Sequence, residues 1–293
     1  MAPSTESAAT AFVPGHITGF FSAHTAANAA QAGSRGAGIT LTDGVEVTVT
    51  PGSGCRLNGE GVSITAVDSV RNRLGVDAAV EANTSLPVGA GFGVSGAVAL
   101  GTALAANAIF DCAKTENELV TMAHCAEVDA GTGLGDVVAQ ARGGVPIRID
   151  PGSPSHGHLD GVAARPRVEY VTFGELSTED VLAGDTDQLT VAGESALSRL
   201  LERSTVDQFM ASARTFATEA DLLTDDVAAA IDAVDDAGGE AAMAMLGNTV
   251  FAVGDGLSAA GYEPKTCAVD VGGARLVDPA ASDADAADKE RTF

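Results

Sequence analysis

The chain has 293 residues, 45% of them hydrophobic, and carries 40 Asp and Glu against 16 Lys and Arg, a formal net charge of −24. That length and apolar content suffice for one large or two ordinary domains, and so acidic a surface excludes long-range attraction to nucleic acid or anionic lipid. Lysine is confined to Lys114, Lys265 and Lys289, and Trp is absent; such a surface suits molar intracellular salt, where a Debye length of about 3 Å mutes self-repulsion, and points to a halophilic source.

Cys55, Cys112, Cys125 and Cys267 lack both C-x-x-C and zinc-finger spacing, so they read as small buried hydrophobes in a reducing compartment. No Lys or Arg precedes an apolar stretch at the N-terminus, which excludes a signal peptide and predicts a cytoplasmic protein. Ala82 to Phe110 contains no charged side chain, yet its helical part, from Ser95, rises only about 24 Å, short of the roughly 30 Å of a hydrocarbon core. A buried helix is expected there.

In chain order, Ala11 to Phe21 reads as a strand entering a tight turn. Gly36 to Thr50 alternates apolar and β-branched polar residues around Asp43-Gly44, a hairpin signature. A strand over 61–67, a short helix over 68–74 and a strand over 76–82 lead to a glycine-rich loop and the buried helix. Thr115 to Val128 predicts a helix, with Thr115 as N-cap and Glu118 completing a capping box. A glycine turn over 131–135, a helix or turn over 136–141 and a strand over 145–149 follow. Residues 151–167, punctuated by Pro and His, read as a linker. Beyond it come a strand over 168–173, helices over 189–201, 206–222 and 224–237, a loop and strand over 238–253, and a final strand over 266–271. The Ala- and Asp-rich end is expected to be unstructured.

The most informative segment is Pro87-Val-Gly-Ala-Gly-Phe-Gly-Val-Ser-Gly-Ala97. Alternating glycines let the backbone approach a ligand, and the helix behind them aims free N–H groups and a positive dipole end at an anion. Nucleotide contacts are therefore expected from Pro87, Gly89, Ala90, Gly91, Phe92, Gly93, Val94, Ser95, Gly96 and Ala97. The Walker pattern is absent, and the opening Pro does not fit the dinucleotide fingerprint.

Phosphoryl transfer also needs oxygen ligands for Mg²⁺ and a group that takes the acceptor's proton. Ser95 at the helix entrance offers a hydroxyl, or serves only as an N-cap. In Glu127-Val-Asp-Ala-Gly-Thr-Gly-Leu-Gly-Asp136 the turn can fold its carboxylates toward one cavity, with Glu127 on the metal and Asp136 as base; solvated surface carboxylates are the alternative. His16 and His24 sit among small residues, whereas His156 and His158 share H-x-H spacing in a Ser/Pro/Gly setting that favours a solvent loop.

Taken together these segments resemble the GHMP kinases, the galactokinase, homoserine, mevalonate and phosphomevalonate kinase family. Pro87 to Ala97 is similar to the family's P-x-x-x-G-[LF]-G-x-S-[GSA]-A signature, Pro14-Gly15-His16 to its N-terminal P-G-[KRH] motif, Gly131 to Asp136 to the turn presenting its catalytic Asp, and Met243 to Thr249 to a degenerate third glycine motif. The wording Pro-Gly-His-Ile-Thr-Gly-Phe-Phe and Glu-Val-Asp-Ala-Gly-Thr-Gly-Leu-Gly-Asp-Val most resembles the archaeal branch that phosphorylates pantoate. The resemblance implies a two-domain α+β fold: an N-terminal domain over 1–150 with a mixed or antiparallel sheet, a ferredoxin-like C-terminal domain over 151–279, and a tail over 280–293. It implies ATP and Mg²⁺, the metal on Ser95 and Glu127, Asp136 as catalytic base, and a small-molecule acceptor, pantoate, with homodimers common among relatives. His16, His24 and Arg142 become acceptor contacts, and Arg35, Arg71, Arg73, Arg142 and Arg148 are unranked partners for its carboxylate. His16 stands where many relatives carry Lys or Arg, and the third motif keeps one Gly. Another acceptor such as mevalonate or homoserine, or a non-catalytic nucleotide-binding regulator, remains the alternative.

Overall fold

The computed structural model describes residues 7–174, 186–245 and 247–278; the tail expected over 280–293 lies outside them. Two β-sheets carry the chain. The first is eight-stranded, in the order β12-β1-β2-β5-β3-β4, with β6 paired to β2 and β7 to β6. Its long members are β1 (Ala9–His24) and β2 (Gly33–Pro51), and β5 (Ala78–Thr84) follows the short β3 (Cys55–Leu57) and β4 (Glu60–Gly61). The ladders are antiparallel except that β3 runs parallel to β5. β6 (Val145–Asp150) and β7 (His158–Val162) form a hairpin on the lower half of β2. Helices α1 (Thr65–Leu74), α2 (Val94–Phe110) and α3 (Glu116–Ala130) pack together, with α2 lying on β1 and β2.

The second sheet runs β11-β8-β10-β9, all antiparallel. Its strands are β8 (Arg167–Gly174), β9 (Ala241–Ala244), β10 (Asn248–Val253) and β11 (Lys265–Ala268), and α5 (Thr186–Glu202), α6 (Val206–Glu219) and α7 (Asp225–Asp236) separate β8 from β9. With the short α8 (Gly256–Ala259) after β10, this is a βαββαβ arrangement with extra helices, the ferredoxin-like sandwich the resemblance implied. α6 carries Phe209 and Phe216 onto Phe20 of β1, and Phe251 of β10 joins them with its centroid 6.1 Å from that of Phe209. All four rings are fully buried, so this aromatic cluster ties the second unit to the first sheet by several kcal/mol of apolar burial.

Two local expectations are overturned. No tight turn interrupts Ala11 to Phe21 and Asp43-Gly44 makes no hairpin: β1 and β2 run straight through, and the irregularities at Pro14-Gly15 and Asp43-Gly44 meet as one register shift, with Pro14 opposite Gly44 and Gly15 opposite Leu41. Gly44 is there for close approach, since a Cβ would stand 2.4 Å from the Val13 carbonyl oxygen. The strand over 61–67 shrinks to β4, because α1 already begins at Thr65. Within the stretch read as a linker the structure places β7, and after β11 one more strand, β12 (Arg275–Val277), returns to pair with β1. No helix among the described residues is long and apolar enough to cross a membrane.

Candidate active site

The glycine loop leaves Leu86 and turns through three left-handed residues, Gly89 (φ 75°), Gly91 (φ 87°) and Gly93 (φ 64°). Gly93 is also the N-cap of α2, with no side-chain cap. The first N–H groups of a 17-residue helix therefore open onto the loop. The loop is pressed from behind by the third motif: a Cβ on Gly247 would stand 2.1 Å from the Ala90 carbonyl oxygen, one on Gly91 would meet the Met245 carbonyl oxygen at 2.8 Å, and Thr249 donates to the Ala90 oxygen at 3.0 Å. One glycine thus suffices in the third motif, because it is the position where the two backbones touch.

In front of the loop lies a cavity of about 310 Å³, lined by Gly89, Gly91, Phe92, Gly93, Val94, Ser95 and Gly96, and across from them by Thr18, Glu127, Thr132, Asp136 and Met245. Of the other expected nucleotide contacts, Ala90 and Ala97 are buried beneath the loop, and Pro87 is not among the lining residues. Ser95 does not cap its helix; its hydroxyl donates to Glu127 Oε1 at 2.7 Å. Glu127 sits in the last turn of α3, which ends at Gly131 in the left-handed conformation with its N–H on the Glu127 carbonyl. The capping box at Thr115 and Glu118 starts that helix as expected. Burial, reinforced by the charge of Asp136, pushes the Glu127 carboxyl up to about 7 against hydrogen bonds from Ser95 and Thr132.

Asp136 opens the short helix α4 (Asp136–Arg142). Its Oδ1 lies 2.7 Å from Nδ1 of His16, whose side chain is 0% exposed while Asp136 keeps 24% of its side chain open to the cavity. Burial holds the His16 imidazole below its ordinary value despite Asp136, so the ring is neutral and Nδ1 carries the donated proton. For Asp136 burial works upward, but the His16 hydrogen bond and the nearby Arg148 charge outweigh it and hold the carboxyl below the usual range. Arg148, on β6, is 2% exposed; burial pulls its guanidinium down to about 10, leaving it cationic at neutral pH, and Asp136 opposes the shift. Nε donates to Ser34 Oγ at 3.2 Å, and Nη1 has no hydrogen-bond partner among the described residues. Gly135 makes room, since a Cβ there would lie 2.6 Å from Arg148 Nε.

Other expected site residues lie elsewhere. His24, at the far end of β1, joins Ser22, Arg35 and Glu194 of α5 in a polar cluster, with Nε2 3.1 Å from Glu194. Arg142 ends α4 six residues past Asp136 and lines a separate cavity with Arg165, Gly144 and Gly161. Arg71 and Arg73 pair with Asp68 and Asp129. His156 bonds to Ser155, and His158 sits 3.9 Å from Asp150 on the surface. Among the described residues no group of three or more His, Cys, Asp and Glu gathers as a metal site. Thr18, Thr132 and Met245 line the cavity too; Thr132 and Met245 lie within the carboxylate turn and the third motif without being singled out there, and Arg148 was one of five candidates. A charged residue inside the apolar strand Val145-Pro-Ile-Arg-Ile149 was the available clue.

The GHMP kinases N-terminal domain model matches residues 62–144. A pantoate kinase of Methanocaldococcus jannaschii is 33% identical over 250 residues, 83% of this chain and 91% of the relative. One from Thermococcus kodakarensis is 35% identical over 83% of this chain and 86% of its own. The chain belongs to the pantoate kinase family of GHMP kinases. A solved phosphotransferase related to the CoA biosynthesis pathway superposes with a TM-score of 0.82 at 30% identity, over 92% of this chain and 98% of that one. A homoserine kinase from Cytophaga hutchinsonii, at 16% identity and a TM-score of 0.69 over 94% and 99% of the two chains, shares the fold. So does a protein solved with MVAPP, AMPPCP and magnesium, at 16% and 0.67 over 92% and 99%. The pantoate kinase fold here sets a glycine loop beside a carboxylate turn.

Proposed function

We propose that this chain transfers the γ-phosphoryl group of ATP to the 4-hydroxyl of (R)-pantoate. The observation that carries the chemistry is one cavity in which the glycine loop and the α2 N-terminus face an ionised, His-bonded Asp136. The loop binds the β- and γ-phosphates through backbone N–H groups. Asp136 takes the proton of the acceptor hydroxyl as its oxygen bonds to the γ-phosphorus and the bond to the bridging oxygen of ADP breaks. The carboxylate of pantoate calls for a cation or an N–H cluster, and of the five candidate arginines Arg148 is the one whose charge acts on Asp136; it lies behind the cavity wall, with Nη1 buried and without a partner among the described residues.

The donor set fits Mg²⁺. Ser95 Oγ and a Glu127 oxygen are hard ligands 2.7 Å apart on the cavity wall, and Mg²⁺ on a nucleotide takes one or two protein oxygens, completing its shell with phosphate and water. Bound there it would neutralise phosphate charge. Because Glu127 must shed a proton near pH 7 to ligate, its affinity for Mg²⁺ is expected to be about tenfold weaker at pH 6 than at its alkaline plateau. Glu127→Gln should weaken binding and flatten that dependence, as Mg²⁺ titrations of the ATP complex at pH 6, 7 and 8 will read. A pH-independent wild-type affinity would remove Glu127 from the metal.

The acidic surface points to molar KCl as the assay medium. There, the protein with ATP and Mg²⁺ is expected to phosphorylate pantoate and to leave mevalonate and homoserine untouched. Turnover of either alternative in preference to pantoate would reassign the acceptor, and ATP binding without turnover of any would favour a regulator.

A further inference from the structure

We propose that His16 is a positioning residue that divides the work of the Asp136 carboxylate: its Nδ1–H occupies Oδ1, Oδ2 is left as the atom that receives the acceptor's proton, and Gly38 makes the room for this arrangement. The proposal rests on the kinase reading above and adds which oxygen acts and what holds it.

Three observations converge. The His16 ring is fully buried beneath the cavity, so it meets Asp136 and not the substrates. Its Nε2 is buried and has no partner among the described residues. That nitrogen points at β2, where a Cβ on Gly38 would stand 2.3 Å from Nε2 and 2.4 Å from the Ile17 carbonyl oxygen. A neutral ring with one nitrogen against an ionised carboxylate and the other buried without a hydrogen-bond partner favours the tautomer protonated on Nδ1.

The two carboxylate oxygens then differ. Oδ1 is enclosed by His16 and by Gly93, whose added Cβ would lie 3.2 Å from it. Gly93 is itself held by Gln140 Nε2, which donates to its carbonyl at 3.0 Å. Oδ2 faces the other way, toward Gly133 and Glu127, and is the oxygen that His16 leaves free on a residue lining the cavity. The His16 backbone N–H donates to the Phe92 carbonyl at 3.0 Å, so the same residue registers the glycine loop against the base.

The chemistry favours this division. When Oδ2 takes the proton, Oδ1 becomes the carbonyl oxygen of a neutral acid and still accepts from Nδ1–H. The bond that orients the group survives both protonation states and nothing need reorganise during the transfer. The charged groups facing the ring are Asp136 from α4 and Arg148 from β6. The facing parts of β2 and the glycine loop are uncharged. A cation at position 16, as in many relatives, would depress the basicity of Asp136 further; here a neutral donor orients it and Arg148 supplies the charge.

Imidazole ¹⁵N NMR on the full chain tests the arrangement without turnover, since there are five histidines and the His16 signals are those lost in His16→Asn. Nδ1 is expected to be protonated and Nε2 unprotonated, with the ring neutral at about pH 7. The pH profile of kcat/KM supplies the second readout. His16→Asn, which keeps an N–H close to the Nδ1 position, is expected to hold kcat within about fivefold of the wild type. His16→Leu should lower it by about tenfold or more and move the acid limb to higher pH, with KM for ATP unchanged. An Nε2-protonated ring, or an acid limb that stays in place in His16→Leu, overturns the proposal. Absence of turnover would instead count against the kinase reading and leave the tautomer measurement to decide on His16.

Discussion

Asp136→Asn is expected to lower kcat by at least about 10²-fold while ATP affinity changes little, the usual scale for losing an acid–base group. The substitution is informative because it spares the architecture. Asn keeps an oxygen that can accept from His16 Nδ1, so the 2.7 Å contact and the packing of His16 against Gly38 persist. What it places toward the acceptor is an amide nitrogen, which cannot take a proton. A second effect follows from charge: Asp136 helps raise the Glu127 carboxyl, so its neutralisation lets Glu127 ionise at lower pH and Mg²⁺ binding at pH 6 should improve slightly. Steady-state kinetics with a parallel nucleotide titration checks both. Unchanged kcat would remove Asp136 from the chemistry.

The second large effect is expected at Arg148. A hydrogen bond to a charged group is worth about 1.5–3 kcal/mol, so Arg148→Gln should raise KM for pantoate by about 10- to 150-fold and leave KM for ATP near its wild-type value. The same change removes the guanidinium that helps keep Asp136 ionised, so the acid limb of kcat/KM should move to higher pH. The sign follows from linkage: a carboxyl held low is active above its lowered value, and raising that value closes the window from the acid side. An ATP KM that rises in step with that of pantoate would indicate general damage to the fold, because Arg148 is buried and its Nε is bonded to Ser34. An unaltered pantoate KM would move the acceptor carboxylate elsewhere.

The parts of the site written locally were legible. Glycines that need positive φ, a capping box, and carboxylates flanking a glycine turn are properties of neighbouring residues, and the loop, α3 and the placement of Glu127 and Asp136 on one cavity followed. What was not legible depends on pairings between distant residues. His16 and Asp136 are 120 positions apart, and only the threading of β1 beside α4 turns an expected acceptor contact into the hydrogen-bond partner of Asp136. Asp43-Gly44 carried a strong hairpin signal, yet β1 offers Pro14 and Gly15 opposite it, and a matched pair of irregularities in two long strands replaced the turn. Arg148 could not be ranked among five arginines because its distinction is burial without a carboxylate fork. β12 has three residues, too few for any periodicity to register.

β12 also bears on how the molecule is made. It is among the last described parts of the chain, and it completes the edge of the sheet beside β1, the first strand, with Thr10 opposite Val277 and Arg275 lying 4.6 Å over the ring of Phe12. During synthesis β1 and β2 emerge from the ribosome early, but the outer hydrogen bonds of β1 stay open until the chain beyond residue 277 has been released. Phe20 waits as well, since Phe209, Phe216 and Phe251 all come from later segments. A nascent chain carrying an unpaired strand edge beside unburied aromatic rings is prone to pair with its neighbours. The three residues of β12 thus close the outer edge of β1 only once nearly all the described chain has been made.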